Sequence, residues 1–147
     1  MKNYNLIRFI EAQENSYEIA LFEIKSGKKR SHWMWFIFPQ LRGLGTSQMS
    51  RFFGIENLDE AKAYLENEIL GTRLIEISLE LLRLNTNDPV EVFGSIDAMK
   101  LRSSMTLFLC VEGAPVVFKQ VLDKFFAGNV CTKTIDLINL QKDALNK

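Results

Sequence analysis

The most regular stretch of the chain is residues 69–84, which read ILGTRLIEISLELLRL. Steps of three and four residues place side chains on one face of an α-helix, because the helix completes a turn about every 3.6 residues. The stretch therefore predicts an amphipathic helix from Ile69 to Leu84 with one apolar face against a core. The apolar residues at this spacing are Leu70, Leu74, Ile77, Leu81 and Leu84.

Helical signals recur on both sides of this stretch. Several combine a polar N-cap residue or a proline with apolar residues at helical spacing, and glycines close some of them. Alternation with a period of two, typical of strands, is nearly absent. We therefore predict an all-α fold, a compact single-domain bundle of about seven or eight short helices, over residues 1–147. The other helices begin at Asn15, Gln48, Asn57, Asp88, Met99, Pro115 and Thr134, and those from Met99 and Thr134 end at Val111 and Lys142.

The composition is that of one globular domain. Of 147 residues, 47% are hydrophobic and 24% are charged, which is enough to build a core without metal or disulfide staples. Cys110, Cys131 and a single histidine do not make up a zinc-ligand set, so we expect two buried, reduced thiols and no metal or cofactor. The first residues lack a signal peptide, and no apolar run reaches the roughly 18 residues of a membrane span. We therefore expect a cytoplasmic protein.

The charges are segregated along the chain although their sum is zero. Residues 24–55 contain no acidic side chain, whereas residues 56–91 carry nine acidic and three basic ones. A basic segment of this kind is typical of a surface that meets an anion or an acidic partner. Its cations are Lys25, Lys28, Lys29, Arg30, Arg42 and Arg51.

One apolar run, residues 31–40, fits two structures. A helix would group His32 with Trp35 and Phe36, whereas a strand would group Trp33, Trp35 and Ile37, and periodicity cannot decide so short a run. The helical signals around it favour a short helix. We expect that helix to stop at residue 38, because a proline follows it.

The first candidate site surrounds both tryptophans and the histidine. Cations and hydroxyls bind phosphate or carboxylate, and aromatic rings stack on a base. A glycine-interrupted loop then leads into the helix at Gln48, where free backbone N–H groups attract anions, but it is neither a Walker A motif nor a dinucleotide fingerprint. The structural alternative is that the tryptophans are core residues and the loop is only a turn. The predicted ligand-binding residues here are Arg30, Ser31, His32, Trp33, Trp35, Gln40, Arg42, Gly43 and Gly45.

The second candidate site is a polar group inside the most apolar predicted helix. Hydroxyls and cations in such a helix need partners, because burying a polar group without one is costly. The structural alternative is that the serines bond to carbonyls one turn earlier and the cations extend to solvent. The predicted ligand-binding residues here are Lys100, Arg102, Ser103 and Ser104.

The two stretches that hold the candidate sites, called here the first block and the second block, resemble one known family. Residues 30–45 and 100–108, with 58–65 and 70–74 between them, are similar to the domain of unknown function numbered 1810. The resemblance covers nearly the whole chain and implies a mainly helical single-domain fold, but no activity. Some members carry the label calpastatin, which we do not transfer, because calpastatin inhibitory segments are disordered and this composition is that of a packed protein.

Two hypotheses about function follow from these residues. The first is a small-molecule site where 28–47 meets 100–106, which binds an anionic, nucleotide-like ligand and has His32 as candidate general acid or base. The second is a protein-interaction module that uses the basic surface of residues 25–51. We expect no membrane contact and no nucleic acid, because the isoelectric point is near 6.6. Whether the protein is an enzyme, and its oligomeric state, stay open.

Overall fold

The computed structural model describes residues 4–146, so the predicted domain ends at 1 and 147 lie outside the described residues. The described residues are 66% helical and form an all-α fold, as the sequence predicted. Nine helices lie within the described part. They are α1 (Ile7–Gln13), α2 (Tyr17–Lys25), α3 (Met34–Ile37), α4 (Gln48–Phe52), α5 (Leu58–Glu66), α6 (Glu68–Leu82), α7 (Pro89–Leu109), α8 (Val117–Phe126) and α9 (Thr132–Leu145).

Side-chain caps begin several of these helices, because the first N–H groups of a helix have no partner inside it. The Asn57 side chain accepts from the Glu60 N–H at 2.9 Å, and Asp88 accepts from the Val90 N–H at 2.9 Å, which confirms both predicted starts. The predicted cap at Asn15 is wrong. Ser16 is the N-cap residue of α2, and its side chain makes no capping bond.

The stretch that the sequence marked as most regular forms α6. Leu70, Leu74, Ile77 and Leu81 are all buried, so the predicted stripe faces the core. The helix ends two residues earlier than predicted, at Leu82. At its start a Cβ on Gly71 would collide with the carbonyl oxygen of Leu65. The corner between α5 and α6 therefore requires glycine.

The helical run α7 consists of two helices, as predicted, which meet at a kink. Both lie within Pro89–Leu109, and Gly94 between them has the non-helical angles φ 79° and ψ 166°, so the second helix begins earlier than the predicted Met99. Glycine adopts that conformation without the penalty of a Cβ. The run bends there, and its second half lies in the centre of the molecule with Leu101 and Phe108 fully buried.

A chain of aromatic rings in tilted and edge-to-face contact passes through the core. Phe53, Phe9, Tyr64, Phe108 and Phe118 follow one another with ring-centre distances of 5.8, 5.1, 5.3 and 5.8 Å. Aromatic pairs at such distances add to the free energy gained by burial. The rings connect the N-terminal helix α1, which the sequence did not predict, to α5, α7 and α8.

The ambiguous run 31–40 forms a helix, α3, and Phe38 is its C-cap residue, as predicted. Its continuation is a loop closed by backbone pairing, in which the Arg42 N–H donates to the Ile55 carbonyl at 2.7 Å and the Ile55 N–H to the Gln40 carbonyl at 2.8 Å. The loop carries α4 at its tip. No helix in residues 4–146 is long and apolar enough to cross a membrane.

Candidate functional site

The segment before the tryptophans is folded around the carboxylate of Glu23 on α2. This carboxylate accepts hydrogen bonds from the backbone N–H groups of Arg30 and Ser31 at 2.8 and 3.0 Å. It also accepts from the Ser31 hydroxyl at 2.6 Å and from the Trp33 indole N–H at 2.8 Å. Four donors converge on one side chain, so the segment is held against α2. The Ser31 hydroxyl, predicted to bind a ligand, is already engaged there.

These bonds also fix the charge of Glu23. Burial of the side chain opposes ionisation, but the hydrogen bonds from Ser31, the Arg30 backbone and Trp33 outweigh it and lower the pKa of the carboxyl to about 2. Hydrogen bonds to a charged form stabilise that form. Glu23 is therefore ionised at neutral pH.

Lysines from the two predicted blocks share the carboxylate of Asp97 on α7. The Lys29 ammonium lies 2.9 Å from one carboxylate oxygen and the Lys100 ammonium 3.4 Å from the other. The Lys100 ammonium also lies 4.7 Å from the ring centre of Trp35, within the range of a cation–π interaction. The structure thus brings the first block and the start of the second together at Trp35 and Lys100.

The two tryptophans differ in what they can contact. Trp33 is 1% exposed, packs against Phe38 and Phe93, and donates its indole N–H to Glu23. Its ring has no free face, which corrects its prediction as a stacking residue. Trp35 is partly exposed. It is therefore the tryptophan that a ligand can reach.

Of four further residues of the first block, two lie beside Trp35 and two are exposed on the segment that precedes it. Arg30 and His32 are exposed on the segment that Glu23 anchors. Gln40 and Gly45 line a recess of about 10 Å³ beside Trp35, the space of about one water molecule. A Cβ at Gly45 would lie 2.7 Å from the hydroxyl oxygen of a neighbouring serine, so the rim of the recess is tightly packed.

The other two residues of the first block lie elsewhere. Gly43 has φ 107° and approaches Leu137 of α9. Arg42 lines a separate groove of about 340 Å³ between α1 and α4, together with Arg8 and Arg51. Its guanidinium donates to the carbonyls of Arg51 at 3.2 Å and of Gly54 at 3.0 Å. Arg42 is therefore held in that groove rather than beside Trp35.

The rest of the second block turns away from Trp35. The Arg102 guanidinium lies 5.9 Å from the Phe126 ring centre, and the Ser103 hydroxyl lies 3.4 Å from the sulfur of Cys131. Ser104 is fully buried, which corrects its prediction as a ligand contact. Positions two apart on a helix differ by about 200°, so Lys100 and Arg102 face different neighbours.

Sequence reasoning missed three residues that organise these clusters: Glu23, Asp97 and Cys131. It placed no carboxylate beside either block, although Asp97 is three positions before Lys100, a spacing that brings side chains together on a helix. No local signal marks Glu23. Both cysteines are free and partly exposed rather than buried as expected, because Cys110 and Cys131 occupy helix ends.

The fold and these clusters define an all-α protein with polar groups on two sides of one long helix, α7. The chain belongs to a family described as proteins of unknown function (DUF1810), whose sequence model matches residues 3–138. It is similar to the crystal structure of the conserved hypothetical protein Rv1873 from Mycobacterium tuberculosis, with 41% identity and a TM-score of 0.90 over 92% of this chain and 97% of that chain. No curated protein matches. The family resemblance is confirmed, and neither description names an activity.

Proposed function

We propose that the protein binds a small anionic, nucleotide-like ligand at the surface formed by Trp35 and Lys100. The observation that carries this proposal is the Lys100 ammonium 4.7 Å from the ring centre of the partly exposed Trp35. A partly exposed aromatic ring and a cation that neutralises phosphate are the two contacts that a nucleotide needs. They come from helices α3 and α7.

The balance of charge at this surface favours an anion. Lys29 and Lys100 share the single carboxylate of Asp97, so these three groups carry a net charge of +1. Arg30 adds an exposed cation nearby along the chain. A phosphate would therefore meet uncompensated positive charge, and its attraction would weaken with added salt.

The segment of residues 30–33, next to the proposed surface, is held in place before any ligand binds. Glu23 accepts four hydrogen bonds from the segment that carries Arg30, Ser31 and Trp33. A preformed surface loses little conformational entropy on binding. The recess beside Trp35 has room for about one water molecule, so the ligand would lie against the surface with Gln40 and Gly45 at its edge. His32, the candidate general acid or base, is exposed on the segment before Trp35.

The proposal is tested by titrating the protein with nucleoside phosphates, dinucleotides and sugar phosphates while its tryptophan fluorescence and melting temperature are recorded. A ligand at a hundredfold its Kd adds about 2.7 kcal/mol, a shift of roughly 5–10 °C for a chain of this size. Ligand should quench Trp35 and leave the buried Trp33 unchanged, so Trp35→Phe should abolish the fluorescence response.

The matched variants are Lys100→Gln and Lys119→Gln. Lys119 is an exposed lysine paired with Asp123 at 2.9 Å, so its loss removes the same charge far along the chain from the proposed surface. We expect Lys100→Gln to weaken binding at least tenfold and Lys119→Gln to leave it unchanged. Equal weakening by both variants, or no response to any compound, would refute the proposal.

A second candidate function, an interaction module for an acidic protein segment, is favoured by the surface of α4. Phe52 is 54% exposed and Met49 is 38% exposed, and Arg51 and Arg42 lie beside Phe52 in the groove next to α1. Exposed aromatic and arginine side chains are the residues that most often anchor protein interfaces. Met49, Arg42 and Arg51 belong to the basic segment of residues 25–51, and Phe52 directly follows it.

The interaction module is tested by fluorescence anisotropy with labelled acidic peptides that contain apolar residues. We expect Phe52→Ala and Arg51→Ala each to reduce binding at least tenfold. Ile96→Ala is the matched control, because Ile96 is also a large exposed apolar side chain but lies on α7. Binding that all three substitutions leave intact would remove this candidate.

A further inference from the structure

The second predicted block converges on a cysteine instead of the Trp35 surface. Cys131 is the N-cap residue of α9 and is partly exposed. Its backbone N–H donates to the Thr106 hydroxyl at 2.9 Å, and that hydroxyl donates to the Arg102 carbonyl at 2.7 Å. The sulfur is thereby held against α7, and it stays within reach of small molecules in solvent.

The Ser103 hydroxyl has two possible acceptors. It lies 3.1 Å from the Met99 carbonyl and 3.4 Å from the sulfur of Cys131. A hydroxyl has one proton, so it can donate to only one of them at a time. A neutral thiol leaves that proton with the Met99 carbonyl, whereas a thiolate attracts it. The serine can therefore stabilise the charged sulfur without any movement of the backbone.

Two donors at this cluster have no partner. The Thr134 hydroxyl is fully buried, faces the Cys131 sulfur and makes no hydrogen bond within the described residues. The Arg102 Nε–H is likewise buried and without a partner there. Buried donors are nearly always paired in folded proteins, so an exception needs an explanation. An oxygen atom added to the sulfur would accept from both donors and would explain why they are unpaired.

The electrostatic surroundings of Cys131 also favour the thiolate. Burial of the Cys131 thiol raises its pKa, but the hydrogen bond from Ser103, the polar Thr134 beside the sulfur and the positive charge of Arg102 outweigh burial and bring the pKa below its ordinary value. Cys110 is a contrast within the same chain, because burial raises its pKa and Lys142 opposes this only in part. The thiolate is the nucleophilic form of cysteine.

We propose that Cys131 is a modification site, a reactive thiol that a hydroperoxide oxidises to a sulfenic acid held by Arg102, Ser103 and Thr134. The thiolate sulfur attacks one peroxide oxygen, an S–O bond forms and the O–O bond breaks. The electron pair of the O–O bond leaves with the second oxygen as hydroxide, or as alkoxide from an organic peroxide, which takes a proton from solvent. Sulfur loses two electrons and the peroxide gains them. The new oxygen accepts from the donors that now lack partners.

The proposal is tested on the full-length native protein. It is exposed to limiting hydrogen peroxide in the presence of dimedone, which traps sulfenic acids, and labelled peptides are measured by mass spectrometry. We expect at least tenfold more label on Cys131 than on Cys110, which is also partly exposed and free. Equal labelling, preferential labelling of Cys110, or an unlabelled Cys131 beside a labelled reference thiol would each overturn the proposal.

The roles of the neighbours are tested by the pH dependence of alkylation. Arg102→Gln should raise the apparent pKa of Cys131 and slow its alkylation at neutral pH severalfold, and Arg102→Lys should restore part of the rate because it keeps the charge. A change that is the same at Cys110 would reflect general loosening of the fold and would refute a positioning role for Arg102. Circular dichroism confirms that each variant is folded.

Discussion

Two buried polar clusters differ in how completely their hydrogen bonds are satisfied. At Glu23, one carboxylate accepts from four donors. At Cys131, the Thr134 hydroxyl and the Arg102 Nε–H have no partner within the described residues. The first cluster uses its polar atoms to shape the chain, whereas the second keeps donors available. A fully paired network stabilises a fold, and a partly paired one marks where a ligand or a modification fits.

The largest expected effect comes from breaking the paired cluster with Glu23→Ala. The substitution leaves the buried Trp33 indole N–H and two partly buried backbone N–H groups without an acceptor, and we expect a loss of about 3–5 kcal/mol in the free energy of unfolding. Urea denaturation measures it. Glu18→Ala, at an exposed position on the same helix, is the control and should cost less than about 0.5 kcal/mol. Similar losses in both variants would contradict the account of this cluster.

Acid should weaken the same cluster by a slightly smaller amount. The Glu23 pKa is about 2 in the folded protein and 4.5 without the fold, so its contribution is complete above about pH 5 and is lost as the pH falls towards 2. A pKa difference of about 2.5 units corresponds to about 3 kcal/mol. Urea denaturation of wild type and Glu23→Gln at pH 5, 4 and 3 isolates this contribution. Parallel pH profiles for the two proteins would show that Glu23 is not the group responsible.

Substitution of the two tryptophans should change stability by an intermediate amount. Trp33→Phe removes a donor to Glu23 and leaves space in the core, so we expect a loss of about 2–3 kcal/mol in the free energy of unfolding. Trp35→Phe, at a partly exposed ring, should cost less than about 1 kcal/mol. Thermal and urea unfolding of both variants measure the difference. The reverse order would mean that Trp35 is the core residue.

The smallest change in stability is expected for Thr134→Val, at the Cys131 cluster. Valine keeps the shape of threonine and removes a hydroxyl that has no partner, so stability should stay within about 1 kcal/mol of wild type and tend to rise. The alkylation rate of Cys131 should nevertheless fall. A loss of more than about 2 kcal/mol would show that the hydroxyl has a structural partner, and the contrast between the two clusters would then fail.

Most of the fold could be predicted from the sequence because the signals that predict a helix lie within a few neighbouring residues. The spacing of apolar residues located α6, and the caps at Asn57 and Asp88 are formed as predicted. The errors fell where local signals are weak or ambiguous. α1 is short and has no side-chain cap, and the second helix of α7 begins after Gly94 rather than at the predicted Met99.

The candidate site was only partly predictable. Proximity in sequence grouped Lys100 with Arg102, but helix geometry separates them, so Lys100 joins Trp35 while Arg102 joins Cys131. Glu23, which organises the first block, comes from a different helix. Nothing in the local pattern of α2 indicates which loop its glutamate will bind.

The sequence by itself determined the helical class, the family and, to within two residues, most helix starts, because hydrophobic periodicity and capping act over a few residues. Only the tertiary structure decided that Trp33 is a core residue and Trp35 a surface one, and that Lys100 lies beside Trp35 while Arg102 lies beside Cys131. The reason is physical: burial, hydrogen-bond partners and the pKa of Glu23 or Cys131 depend on atoms that are distant along the chain and meet only when the helices pack.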